Sequence, residues 1–418
     1  MGPVMVKSVL MIAFHYPPMR GSSGIQRTLK FSQHLPQEGW RPLMLCASPR
    51  AYHDHCEDLS SEIPPQAVVT RAFALDTARH LSVLGRYPRW FALPDRWVSW
   101  LLGAVPAGLR LVRVHRPAAI WSTYPIATAH LAGLALRKLT GLPWIADLRD
   151  PMTDDAYPPD PLTRRVYRWI ERQTVEQCAV AVCTTPGALR AYATRYPHVP
   201  ASRFALIENG FDEESFAAAP PAAAADGQPF TLVHSGVIYP SERDPAALFT
   251  ALAILLRRGA IAAGSFRLVL RATGHDSHLR TLVAQAGVES VVALEPHIPY
   301  TAALAEMLSA SGLLVLQGAS CNDQVPAKIY EYFRARRPVL ALTDPAGDTA
   351  ATMRSAGMDT IAPLDDATAI AAALESFIAR ARAGTAPLAS AEAIAACSRR
   401  ARSRELARLL AKVTEPGD

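Results

Sequence analysis

The sequence predicts an α/β protein of two domains, each built on a parallel sheet, facing each other across a deep cleft. Three observations carry that expectation. A chain of 418 residues exceeds what one ordinary hydrophobic core organises. Short apolar runs alternate with amphipathic stretches of helical length, which is how strands buried on both faces of a parallel sheet read. The alternation halts at a low-complexity segment, AAAPPAAAADGQ at 217–228, and then restarts.

Taken in order, Ser8–Ala13 reads as a fully buried strand, a loop follows through Pro17–Ser23, and an amphipathic helix runs from about Gly24 to Leu35. Arg41–Cys46 and Ala118–Ser122 are further strands, and Ile126–Leu139 is a helix closed by Gly141. Trp144–Leu148, Val180–Cys183 and Phe204–Glu208 complete the strands of the first half. After the break come strand Phe230–Ser235, helix Pro245–Arg257, strand Phe266–Ala272, helix His278–Ala286 and strand Val291–Leu294. Helix Tyr300–Ala310, strand Leu313–Gln317, helix Ala327–Arg334 and strand Val339–Leu342 finish a second Rossmann-like unit. The expected division is therefore 1–215, a linker at 216–229, and 230–395. A basic terminal helix over 396–413, with Leu406, Leu409 and Leu410 at helical spacing, is expected to return to the first domain.

Half of the residues are hydrophobic and 19% are charged, a globular balance that excludes wholesale disorder. A net charge of +6 and a pI near 9.1 suit anionic partners, or simply a soluble surface. Six cysteines are scattered without a CxxC pair, so a disulfide framework or zinc site is not expected and a reducing, cytoplasmic setting is. The apolar run Val9–Phe14 is too short for a signal peptide or for a spanning helix of about 20 residues.

Ligands of open α/β sheets bind beyond the carboxyl ends of the strands, so the loops there hold the candidates. The first, HYPPMRGSSG at 15–24, offers Gly21 and Gly24 for close backbone approach and a helix N-terminus for an anion, but lacks the GxGxxG spacing of a dinucleotide site. The second, Asp147-Leu-Arg-Asp-Pro151, sends two carboxylates and a guanidinium out of an apolar strand; the alternative is a structural Asp–Arg pair. The turn Asn209-Gly210 reads most simply as an ordinary turn. In GVIYPSERD at 236–244, Arg243 stands near a helix start, where a cation beside exposed amides suits a diphosphate; otherwise it is a solvated arginine. The richest loop is DQVPAKIYE at 323–331. A helix starting near Pro326 would present its first amides, Lys328 and Glu331 on one face, and a carboxylate so placed suits a ribose diol. The plain alternative is an intrahelical Lys–Glu pair.

Together these loops resemble those of retaining family 4 glycosyltransferases, which have the GT-B fold, over nearly the whole chain. HYPPMRGSSGIQR at 15–27, IENGFD at 207–212, HSGVIYPSERDPAALFTAL at 234–252 and VPAKIYEYFRARRPVLAL at 325–342 are the segments that carry the likeness. The family's Glu-x7-Glu signature is similar to Asp323-x7-Glu331, the first acid one methylene short. The resemblance implies that Glu331 holds the nucleotide ribose and Asp323 approaches the sugar hydroxyls. It implies that Arg243 and Lys328 neutralise the diphosphate, with Gly236, Gly274, Gly21 and Ser22 also at the donor. Val237 stands where many relatives carry Arg, and Gly21-Ser22 replaces the common Gly-Gly. Asp147 lies about where relatives have a His that touches the transferred sugar, and is placed with the catalytic residues on that basis. His15, Arg149 and Asp150 are assigned to the acceptor. The implied reaction moves a sugar from a nucleotide-sugar donor with retention of configuration to a saccharide or lipid-linked acceptor, as in cell-surface polysaccharide or glycoconjugate synthesis. No metal or other cofactor is expected, since no DxD motif is placed for one and two cations face the departing charge. A hydrolysing sugar-nucleotide 2-epimerase and a non-catalytic glycan- or nucleotide-binding protein are the rival readings.

The segment RYPRWFALPDRWVSW at 86–100 holds three of the seven tryptophans with three interleaved arginines. It reads either as a helix packing its aromatics inward or as a face seated on an anionic membrane surface. Nucleic acid is not expected as a partner.

Overall fold

A computed structural model of the chain describes residues 6–19, 23–55, 57–154, 157–219 and 228–415. The chain divides into two compact units, the first comprising Met1–Asn209 and Arg399–Asp418, the second Gly210–Ser398.

In the first unit seven strands form one parallel sheet: β1 Lys7–Ile12, β2 Trp40–Ala47, β3 Val68–Ala72, β4 Ala119–Thr123, β5 Trp144–Arg149, β6 Val180–Cys183 and β7 Phe204–Leu206. Their order is β3-β2-β1-β4-β5-β6-β7. The central strands are largely apolar because helices cover both faces, and Val9–Ile12 of β1 and all of β4 are buried. Strand order reverses between β1 and β4, which pair with Val9 opposite Ala119. Connections leave the sheet in opposite directions at such a reversal and open a crevice at the carboxyl ends.

The second unit repeats the plan with six parallel strands: β8 Phe230–Ser235, β9 Phe266–Arg271, β10 Val292–Glu295, β11 Gly312–Gln317, β12 Val339–Thr343 and β13 Ile361–Ala362. Their order, β10-β9-β8-β11-β12-β13, reverses between β8 and β11.

Several elements lie outside the expected set, helices Pro161–Gln177, Pro186–Arg195, Asp348–Ser355 and Ala367–Arg382 among them. β3 and β13 are edge strands with little wholly apolar sequence. Helix Trp100–His115 contains Gly103, Pro106 and Gly108, which disguise it. The glycines serve packing: a Cβ on Gly103 would lie 2.4 Å from the Phe73 carbonyl oxygen, and one on Gly108 2.5 Å from Leu136. The division after Asn209 falls before the expected 216–229, because Phe211 and Phe216 already pack in the second unit's core. In the first unit, helix Arg399–Thr414 buries Leu406 and Leu410 in a core cluster with Met44 and Trp121. Arg402 on that helix bonds Glu208 at 2.5 Å. The described cysteines are buried and unbridged. No described helix is long and apolar enough to cross a membrane.

Candidate functional site

The second unit's candidate site forms where β8 and β11 end. Beyond β8 the backbone turns at Gly236 with φ +118°, a conformation that residues with side chains rarely adopt, and a Cβ there would sit 3.0 Å from Lys328 Nζ. The following loop carries Arg243. Its Nε donates to Gln317 Oε1 at 3.2 Å and one terminal nitrogen to the Val237 carbonyl at 3.2 Å, while its guanidinium lies 5.8 Å from the Tyr239 ring. Since Gln317 ends β11, this arginine ties the two loops of the reversal together. Gly274, after β9 and with φ +75°, brings a third loop alongside, since a Cβ there would meet Val237 at 3.3 Å.

Lys328 opens helix Lys328–Ala335, whose Ile329, Tyr332 and Phe333 are buried and so fix the polar face. Its Nζ lies 3.1 Å from His234 Nε2, and His234 Nδ1 lies 2.9 Å from the Leu314 carbonyl. The carbonyl requires Nδ1 to donate, which leaves Nε2 to accept from the lysine. Burial, then the Lys328 charge, pushes the His234 pKa well below the usual range. Burial, then Arg243, pulls Lys328 down to about 7, with Glu331 opposing. Glu331, one turn on and half-buried, accepts from the Tyr300 hydroxyl at 2.7 Å. The Ile329 and Tyr330 amides close onto the Pro326 and Ala327 carbonyls, which leaves the side chains of Lys328 and Glu331 as ligand groups beside the amides that precede them. Asp323 is exposed on the loop before the helix. His234 and Gln317 were not among the expected site residues; the signal was a polar residue at or near the carboxyl end of each buried strand.

In the first unit, His15, Thr28, Thr123, Tyr124 and Arg149 line a small cleft at the ends of β1, β4 and β5. Burial, then the Arg149 charge, lowers the His15 pKa to about 4, so the ring is neutral near pH 7. Its Nδ1 is buried with no hydrogen-bond partner among the described residues. Arg149 has φ +44°, its carbonyl accepts from Thr184, and it stands 4.0 Å from the exposed Asp150. Gly21 and Ser22 lie outside the described residues.

Residues 24–210 match the family described as glycosyl transferase 4-like domain. The first unit carries a glycosyl transferase 4-like domain. No curated protein matches the chain's sequence. Among solved structures, sucrose-phosphate synthase of Thermosynechococcus elongatus has a TM-score of 0.61 at 15% identity, over 98% of this chain and 96% of that one. HepE of Anabaena, solved with UDP and glucose, has a TM-score of 0.65 at 15% identity over 97% and 100%. Trehalose 6-phosphate synthase of Burkholderia multivorans has a TM-score of 0.63 at 13% identity over 99% of each. The chain has the GT-B glycosyltransferase fold.

Two expectations for the glycosyl transferase 4-like domain need correction. Asp147 is buried, and both its oxygens are occupied: Oδ1 accepts from Arg27 Nη2 at 2.8 Å, and Oδ2 from Arg27 Nε at 3.0 Å and Thr123 at 2.8 Å. Arg27 also donates to the Ile207 and Glu208 carbonyls. Through Arg27, Asp147 therefore positions the turn that ends the first unit, which is the structural Asp–Arg pair given as the alternative. The aromatic stretch is no single helix face either. Trp100 is fully buried and Trp97 packs on Phe14 at 4.9 Å, while Trp90 is 70% exposed. Arg96 pairs with Asp76 and Arg89 with Asp160.

Proposed function

We propose that the chain is a retaining, metal-independent glycosyltransferase acting in cell-surface polysaccharide or glycoconjugate synthesis. The second unit holds a nucleotide-sugar donor and the first receives a saccharide or lipid-linked acceptor. One observation carries this reading: Arg243, Lys328 and Glu331 converge where strand order reverses, beside a glycine that lets a ligand reach the backbone. The likeness to transferases of the same fold supports it.

The anomeric carbon–oxygen bond to the diphosphate breaks while the acceptor oxygen bonds the same carbon from the same face. The acceptor proton passes to a phosphate oxygen, so no protein base is needed. Arg243 and Lys328 meet the charge that develops on the leaving group. Glu331 takes the ribose hydroxyls, and Asp323 reaches the sugar. Neutral His15, with Arg149 and Asp150, orients the acceptor. Outward-facing Leu84, Trp90 and Phe91 support peripheral contact with an anionic membrane at its cytoplasmic face.

A thermal-shift screen of UDP, GDP, ADP and their sugars tests the reading, since ligand binding raises the melting temperature by mass action. The shift is expected to vanish in Glu331→Ala and to persist in part in Glu331→Gln. Turnover is expected to survive EDTA; activity that disappears and returns with a divalent ion overturns the metal-free step. Epimerised sugar formed without acceptor would assign an isomerase instead.

A further inference from the structure

Helix Pro161–Gln177 carries Arg165, Arg168, Trp169 and Arg172 at spacings of three, four and seven, which is one helix face. With Thr153, Arg195 and Tyr196 they line a cavity of about 590 Å³, the size of a small-molecule site. The three helix arginines have no ion-pair or hydrogen-bond partner among the described residues. The acids that spacing would offer them are engaged elsewhere. Glu171 turns inward to Thr153 at 3.0 Å, Arg195 at 2.6 Å and Tyr196 at 2.8 Å. Glu176, four residues after Arg172, lies 3.1 Å from His198. Asp154 is the one acid among the described residues of the cavity wall, and the arginines there outnumber it.

Like charges stacked on one helix face repel, and no ion pair among the described residues offsets that cost. A ligand with several negative oxygens does, because guanidinium forks match phosphate oxygens two at a time. Trp169, 47% exposed among the arginines, adds a flat apolar wall of the kind a sugar ring stacks against. The cavity also adjoins the acceptor loop: Arg195 bonds Thr153 at 3.1 Å, and the Met152 amide donates to Tyr192 at 3.1 Å, three to four residues beyond Arg149.

We infer that this cavity binds the phosphate- or diphosphate-bearing part of a glycosyl acceptor. Its assignment to the acceptor rests on the transferase reading above; the binding chemistry does not.

Calorimetry of the full chain with inorganic pyrophosphate tests it. Arg165→Gln/Arg168→Gln/Arg172→Gln is expected to weaken binding at least about tenfold, with a melting temperature no lower than that of the wild type and an unchanged response to UDP. Arg243→Ala/Lys328→Ala is expected to retain pyrophosphate binding at this cavity. A triple variant that binds like wild type, or binding that vanishes wholly with Arg243 and Lys328, overturns the proposal. Two further arms identify the source. Arginine-dependent sedimentation with phosphatidic acid vesicles, absent with phosphatidylcholine alone, assigns a lipid-borne phosphate; arginine-dependent binding of glucose 1-phosphate without sedimentation assigns a soluble one. Pyrophosphate binding that persists in a protein answering to no nucleotide would sink the transferase reading and leave the cavity standing.

Discussion

The ammonium of Lys328 is pulled down to about 7, because burial and Arg243 both disfavour its charge. A diphosphate brings the opposite effect, so the lysine binds its proton more tightly once the donor arrives. Below pH 7 the group is already charged, and binding takes up no proton. Above pH 7 the free lysine is neutral; binding must draw a proton, and affinity falls about tenfold per pH unit until the pKa of the bound state. Calorimetry of nucleotide-sugar binding at alkaline pH, in buffers of different ionisation enthalpy, reads this uptake directly. A heat independent of buffer would refute the account. Asp147 belongs to a different category of charge. Asp147→Asn leaves Arg27 buried without its counter-ion, and the expected loss is about 3–5 kcal/mol in urea unfolding. Normal stability with lost turnover would return Asp147 to the sugar.

The elements that carry the site are held by their apolar faces, which frees short polar edges for ligands. Helix Lys328–Ala335 buries Ile329, Tyr332 and Phe333, so Lys328 and Glu331 are presented by packing rather than by their own pairing. The turn after β8 depends on Gly236. An alanine there would carry both a strained φ, costing about 1–3 kcal/mol, and a methyl against Lys328. Gly236→Ala is expected to keep the far-ultraviolet circular dichroism of the wild type while losing most of the nucleotide-induced thermal shift. An undiminished shift would mean that the close approach at residue 236 is not used by the donor.

At the scale of the whole chain, each unit uses one sheet reversal, and the C-terminal helix completes the first. Leu410 is fully buried against that unit's core, so Leu410→Ala is expected to cost about 2–5 kcal/mol. The unfolding transition of the first unit should move to lower temperature, while that of the second stays in place. Calorimetric scans in which only the second transition moves would contradict the assignment of the helix. Arg402, linking this helix to Glu208, ties the same stabilisation to the Arg27-bound turn at 207–208.

By itself the sequence determined what local physics determines. Buried parallel strands need continuous apolar runs, so β1, β5, β6, β8, β11 and β12 were legible to within a residue or two. Glycines, Arg243, Lys328 and Glu331 stood out because such residues after buried strands make poor core. The edge strands β3 and β13 and a helix holding Gly103, Pro106 and Gly108 were not legible, because neighbours rather than propensity stabilise them. Tertiary structure alone decided the rest. Asp147 meets Arg27 across 120 positions, and that pairing gives it a structural role that its sequence neighbours do not show. Trp97 and Trp100 face inward while Trp90 faces out, and the helix arginines 165, 168 and 172 meet Arg195 around one cavity. Strand order sets which distant side chains share a low-dielectric pocket, and a charge's role follows from the partner it finds there.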